Sequence, residues 1–92
     1  MIRTIRHKGL RRLFEADIGR GVAPDMVERI RIILAALDAA PSIAALERPG
    51  FRLHALKGDL RGYWAITVRA NWRIIFRFVD GDALDVDLVD YH

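Results

Sequence analysis

The chain contains no cysteine, which excludes a disulfide framework, a thiolate metal site and a cysteine nucleophile together. No apolar run reaches membrane-spanning length, because Arg29 and Arg31 interrupt the best candidate. The opening Met1-Ile2-Arg3-Thr4-Ile5-Arg6 has too short an apolar run for a secretory leader. Both features predict a cytoplasmic protein with no membrane partner. Repeats, low-complexity tracts and linkers are also missing, so the 92 residues read as one domain, 1–92. Finally, no Lys or Arg follows Arg77.

That last absence divides the molecule by charge. Residues 1–79 hold all fifteen Lys and Arg against seven Asp and Glu, a balance of +8. The final thirteen residues carry Asp80, Asp82, Asp85, Asp87 and Asp90 with no Lys or Arg, a balance of −5. Thirteen of the fifteen cations are Arg, the side chain suited to bidentate phosphate contact and to stacking on bases. A basic body points to a polyanion, nucleic acid before membrane, since no long basic amphipathic helix offers a lipid face.

Hydrophobic residues make up 52% of the chain, enough for one core. Ile2–Ile5 predicts a short opening strand. Leu10, Leu13 and Phe14 fall at helical spacing, with Gly19 and Gly21 placed to end that helix. Pro24 suits the first turn of a second helix that buries Val27, Ile30, Ile33, Leu34 and Leu37. Pro41 and Pro49-Gly50 close the helical half, with a short helical turn expected around Ser42–Leu46. The period then changes to two. Phe51, Leu53 and Ala55 alternate with Arg52, His54 and Leu56; Trp64, Ile66 and Val68 with Ala65, Thr67 and Arg69; Trp72, Ile74, Phe76 and Phe78 with Arg73, Ile75 and Arg77. Asp80-Gly81 is a tight-hairpin signal, and Leu84, Val86 and Leu88 predict a last strand, with Asp85 and Asp87 on one of its faces. The class is α+β: two helices packed on one face of an antiparallel sheet whose other face presents His54, Arg73 and Arg77. Trp64 and Trp72 lie in the apolar phase and read as core.

No metal or organic cofactor is expected. Histidines 7, 54 and 92 have no ligand spacing, Asp80–Asp87 lacks the pattern of a calcium loop, and no glycine-rich phosphate loop is present. The strand half nevertheless holds groups suited to acid–base work. RNA is cut when its own 2′-hydroxyl attacks the adjacent phosphorus, which calls for a base, an acid and cations for the growing phosphate charge. His54, Lys57, Arg73, Asp90, Tyr91 and His92 supply such groups, and histidine suits proton transfer near neutrality.

The stretch Leu53-His54-Ala55-Leu56-Lys57-Gly58-Asp59-Leu60-Arg61-Gly62-Tyr63-Trp64 resembles the LHxLKGxxxGYW signature of HigB-type toxins, within the wider RelE/ParE superfamily. Val68-Arg69-Ala70-Asn71-Trp72-Arg73, the ending Val89-Asp90-Tyr91-His92, and His7-Lys8-Gly9-Leu10 with Leu13-Phe14-Glu15 resemble its other blocks, so the likeness covers nearly the whole chain. It implies a RelE-like fold and the toxin of a type II toxin–antitoxin pair that cuts mRNA on the ribosome without metal. It further implies a helix-turn-helix, HigA-like antitoxin that represses their operon, so that operator DNA is met only through the complex. On that pattern His54, His92 and Asp90 handle protons, Lys57 and Arg73 neutralise the phosphate, and Tyr91 orients the nucleotide. Lys57, Arg69, Arg73 and Arg77 are the expected RNA contacts. The family often carries Tyr where this chain has Leu84 and Leu88. One scaffold serves both nucleases and ParE-like gyrase poisons that act by binding; the ionisable set, above all His54 with His92, favours the nuclease. A plain nucleic-acid-binding module would explain the arginines but not the Asp-Tyr-His ending.

Overall fold

A computed structural model describes residues 1–90. Helix α1 (Lys8–Ala16) and helix α2 (Val27–Ala39) precede strands β1 (His54–Ala55), β2 (Trp64–Arg69), β3 (Trp72–Val79) and β4 (Asp82–Asp90). The strands form one antiparallel sheet in the order β1-β2-β3-β4, and both helices lie over the same face.

Helix α1 starts where the His7 ring nitrogen Nδ1 accepts from the Leu10 amide at 3.1 Å, satisfying one of the amides a helix start leaves open. It ends sooner than its glycines predict. Asp17 adopts the left-handed conformation (φ 59°), its amide donates to the Leu13 carbonyl at 3.1 Å, and the Ile18 amide donates to that of Arg12 at 3.2 Å. Gly21 is used instead for close approach, since a Cβ on Gly9 would meet its carbonyl oxygen at 2.2 Å. Leu10 and Leu13 are buried, but Phe14 is 37% exposed, contrary to its helical spacing. It lies one residue around the helix from Leu13 and borders the groove between α1 and α2. Helix α2 follows a 3-10 turn at Pro24–Met26 and buries Ile30, Ile33, Leu34 and Leu37, with Val27 half-buried; a second such turn spans Ile43–Leu46.

The helices seal one face of the sheet over Ile66, Val68, Ile74, Phe76, Ala83, Val86 and Leu88, with Trp64 and Trp72 packed at the margin. The β3–β4 turn has φ of 50° at Asp80 and 83° at Gly81, the pair of positive values a type I′ hairpin needs. Residues Ile2–Ile5 do not form a regular strand. They make two isolated parallel bridges to Ala83 and Val86 and so cover the outer edge of β4.

Two expectations about the strands fail for backbone reasons, one of phase and one of length. In β4 the register shifts opposite Ile75–Arg77, and Asp85 takes φ 53° while its amide donates to Thr4 Oγ1 at 2.7 Å. This bulge puts Ala83, rather than Leu84, in the buried phase with Val86 and Leu88. Leu84 pairs with Arg77, and Asp85 and Asp87 no longer alternate along one regular face. Before β1, Arg52 is left-handed (φ 52°), which leaves only two residues of regular ladder. Ala55 is exposed, and Leu56 is buried on the far side of the sheet. There Leu56, Ala65 and Ile75 form a second, small cluster with Leu60, Tyr63 and Val89 packed against it. The second face is therefore not purely polar.

Candidate functional site

The site residues are placed by register. Residues directly opposite in an antiparallel pair share a face. His54 pairs with Ala65, Ala65 with Ile75, and Ile75 with Asp87, which makes one row across the open face. Thr67, Arg73 and Val89 make the next row on that face. His54 and Arg73 thus look out on the same side, two strand spacings apart, which is about 10 Å. The small apolar cluster lies between them. At that separation they do not touch each other.

His54 is exposed, and its Nδ1 lies 2.9 Å from the Arg52 carbonyl. Lys57 is exposed at the start of the loop from β1 to β2. Gly58 (φ 66°) and Gly62 (φ 98°) give that loop its turns, and both would leave an added Cβ in open space. Their role is therefore backbone conformation rather than close packing. Arg73 is half-buried, and one guanidinium nitrogen donates to the Ala70 carbonyl at 2.6 Å and to that of Trp72 at 3.1 Å. Among the described residues neither Lys57 nor Arg73 has an ion-pair partner.

The other expected RNA contacts differ. Arg69 lies past a second register shift, and its guanidinium pairs with Asp25 in the turn before α2. Its charge is drawn toward the helical layer. Arg77 lies on the open face, but its Nε and a terminal nitrogen both reach Asp85 Oδ2 at 2.9 Å. Asp90 pairs with Trp72 and so follows the phase of the helix-covered face, on the opposite side of the sheet from β1. The sheet does not bring Asp90 beside His54; three strand spacings, about 14 Å, lie between their strands. Tyr91 and His92 lie outside the described residues. Sequence reasoning missed Asp85, Thr4 and Arg52, whose backbone roles have no composition signal. Among the described residues no group of three or more His, Asp or Glu could hold a metal ion, and no helix is long and apolar enough to cross a membrane.

This combination of a two-helix layer and a four-stranded antiparallel sheet has counterparts among known proteins. A family model described as "RelE-like toxin of type II toxin-antitoxin system HigB" matches residues 3–92. The chain belongs to the HigB-like toxin family. It is 51% identical over 92 residues to Endoribonuclease HigB of Proteus vulgaris, covering all of both chains. With Toxin HigB-1 of Vibrio cholerae it shares 34% identity over 90 residues, covering 96% of this chain and 95% of that one. Among solved structures, the YoeB-YefM toxin-antitoxin complex of Staphylococcus aureus matches with a TM-score of 0.62 at 18% identity, covering all of this chain and 95% of that one. A YoeB/ParE toxin from Agrobacterium tumefaciens matches with a TM-score of 0.56 at 20% identity, with the same coverage. These two confirm the RelE-like fold. As a HigB-like toxin, the chain is the toxic half of a toxin–antitoxin system.

Proposed function

We propose that this HigB-like toxin is an endoribonuclease that cuts mRNA on the ribosome by metal-free acid–base chemistry, using the open face of its sheet. What carries the reading is the placement of His54 and Arg73 on one face with Lys57 at its edge, in a chain 51% identical over its full length to a protein named as an endoribonuclease. In this scheme the 2′-hydroxyl of the RNA loses its proton to a base and its oxygen attacks phosphorus. The bond to the 5′-oxygen breaks, a 2′,3′-cyclic phosphate forms, and an acid protonates the departing oxygen. His54 serves one proton transfer from the open face; Asp90, which the sheet sets on the opposite edge strand, and His92 serve the other, while Tyr91 orients the nucleotide. Lys57 and Arg73 stabilise the charge that grows on the phosphate oxygens. The toxin works in the cytoplasm and is neutralised by a HigA-like helix-turn-helix antitoxin, through which alone it meets operator DNA.

Mapping RNA 5′ ends after induction tests this directly. New ends within translated messages are expected, and His54→Ala and His92→Ala should each slow cutting roughly a hundredfold to ten-thousandfold. Growth arrest with intact mRNA and altered DNA supercoiling would replace the nuclease with a gyrase poison.

A further inference from the structure

We infer that Arg52 is a positioning residue for His54: its backbone carbonyl, turned by a left-handed conformation, holds the imidazole with its proton on Nδ1 and leaves Nε2 as the proton-accepting atom. The inference deepens the proposed nuclease function and rests on it for the role of His54, but its structural content stands on the geometry alone.

A carbonyl oxygen can only accept. The 2.9 Å contact between His54 Nδ1 and the Arg52 oxygen is therefore a hydrogen bond only when Nδ1 carries hydrogen. In the neutral ring the second nitrogen, Nε2, then has the lone pair. Nε2 also lies farther from the backbone on a ring exposed at the edge strand of the open face. When it takes the 2′-hydroxyl proton, the imidazole becomes an imidazolium. The Nδ1–H bond to the carbonyl then persists as a charge-assisted one, so the ring keeps its orientation through the transfer.

The backbone around this carbonyl is over-determined, as a left-handed arginine requires. Arg52 has φ 52°. On its N-terminal side the Arg29 guanidinium donates to the Gly50 carbonyl at 2.6 Å and to Thr67 at 3.1 Å. Phe51 is buried beneath the Arg29 and Arg48 guanidinium groups, 5.2 and 4.9 Å from its centroid, and its carbonyl accepts from the Thr67 amide at 2.8 Å. On the C-terminal side the ladder to β2 begins at His54 itself. Residue 52 is thus clamped between two fixed points, and its carbonyl has one direction to take.

His7 supplies an internal contrast. Its Nδ1 accepts from the Leu10 amide, so its neutral ring must carry the proton on Nε2. One protein is expected to hold two histidines in opposite tautomers.

Nitrogen-15 spectra of the full-length toxin, recorded with the imidazoles neutral and assigned with His54→Ala and His7→Ala, read this out. His54 should show protonated Nδ1 and bare Nε2, and His7 the reverse. The backbone test pairs Arg52→Val with Arg52→Gly. A β-branched residue resists a positive φ whereas glycine accepts it. Arg52→Val should shift His54 toward the other tautomer and slow cutting on programmed ribosomes by about tenfold or more through the rate constant, part of the loss expected for a general base. Arg52→Gly, although it removes the same charge, should rescue both readouts. A neutral wild-type His54 protonated on Nε2 overturns the inference, even if Arg52→Val does not fold. So does an Arg52→Gly variant as impaired as Arg52→Val, which would make the side chain the active part. Unimpaired cutting by His54→Ala would instead remove the catalytic role on which the inference rests, leaving the tautomer result standing.

Discussion

The two faces of the sheet obey different rules. The helix-covered face carries Ile66, Ile74, Phe76, Ala83 and Val86, each no more than 1% exposed. The open face has an apolar centre of Leu56, Ala65 and Ile75, ringed by Leu60, Tyr63 and Val89, with His54, Arg73 and Arg77 at its flanks. One face holds the fold together. The other needs only enough apolar contact to seat the Lys57–Tyr63 loop, and its remaining positions are available for charge. Neighbouring residues on β3 therefore have separable roles, and substitution can show whether the separation is real.

The largest expected effect is on the covered face. Phe76 is fully buried, and Phe76→Ala should cost about 3–5 kcal/mol of stability. That is a large part of the 5–15 kcal/mol typical of a small domain, so urea melts should show partial or complete unfolding in dilute buffer. Arg73→Ala should do the opposite. It removes a charge whose only described partners are two backbone carbonyls, so melts should change little. If Arg73 stabilises the phosphate, cutting should slow roughly a hundredfold to a thousandfold, as when one donor to a developing oxyanion is lost. An Arg73→Ala variant that melts early yet cuts well would end the division between the faces.

Ile75 tests the open face's own core. It lies between Ala65 and Asp87 in the row that contains His54. Ile75→Ala should cost about 2 kcal/mol, the low end for such truncations, because its cluster is small and its surroundings can close in. Since Leu56 and Leu60 bracket Lys57, the same change should loosen that loop and slow cutting more than its stability loss accounts for. Comparing rates at temperatures where both proteins are fully folded checks this.

How much of this was visible in the sequence depends on what fixes each position. Where burial decides, period and composition sufficed: the inner side of α2, the phases of Trp64–Val68 and Trp72–Phe78, and the Asp80-Gly81 turn follow from patterning. His54, Arg73 and Arg77 on the uncovered face also follow, since a period of two needs only the parity of each strand. Where a single backbone torsion decides, the sequence carried no signal. Asp85 and Arg52 take positive φ without being glycine; the first shifts the phase of β4, and the second cuts the regular ladder of β1 to two residues. Leu84 lies outside its expected phase for that reason, whereas Leu56 keeps the phase of His54 on the open face. Phe14 was misplaced because a hydrophobic residue at helical spacing can still face a groove. Chemistry makes His54 and Lys57 candidates for proton transfer and charge stabilisation, and the ordered blocks of the family signature single them out among other polar surface residues. Asp90's separation from His54 is a matter of register, which no motif encodes.

The smallest effects sharpen the comparison most, because they ask whether every arginine near the open face acts on RNA. Arg69 and Arg77 are both ion-paired, to Asp25 and Asp85, with side chains roughly half exposed. Exposed pairs contribute about 0–1 kcal/mol, so Arg69→Ala should barely move the melting curve. Arg77→Ala should cost somewhat more, because its partner is the bulge residue that sets the phase of β4. A double-mutant cycle of Arg77→Ala with Asp85→Asn isolates the pair, and Asn is chosen because it tolerates a positive φ. Salt-dependent RNA binding supplies the second axis. Losing a phosphate contact lowers the slope of log affinity against log salt by about one. Arg73→Ala should do so, whereas Arg69, turned toward the helical layer, would first have to leave Asp25, so Arg69→Ala should leave the slope nearly unchanged. Arg77 lies between these cases, on the open face but already neutralised. A slope change as large as that of Arg73→Ala would mean that the RNA displaces Asp85, tying the bulge to substrate binding. An unchanged slope would leave Arg77 as a strut for β4 and confine phosphate contact to Lys57 and Arg73.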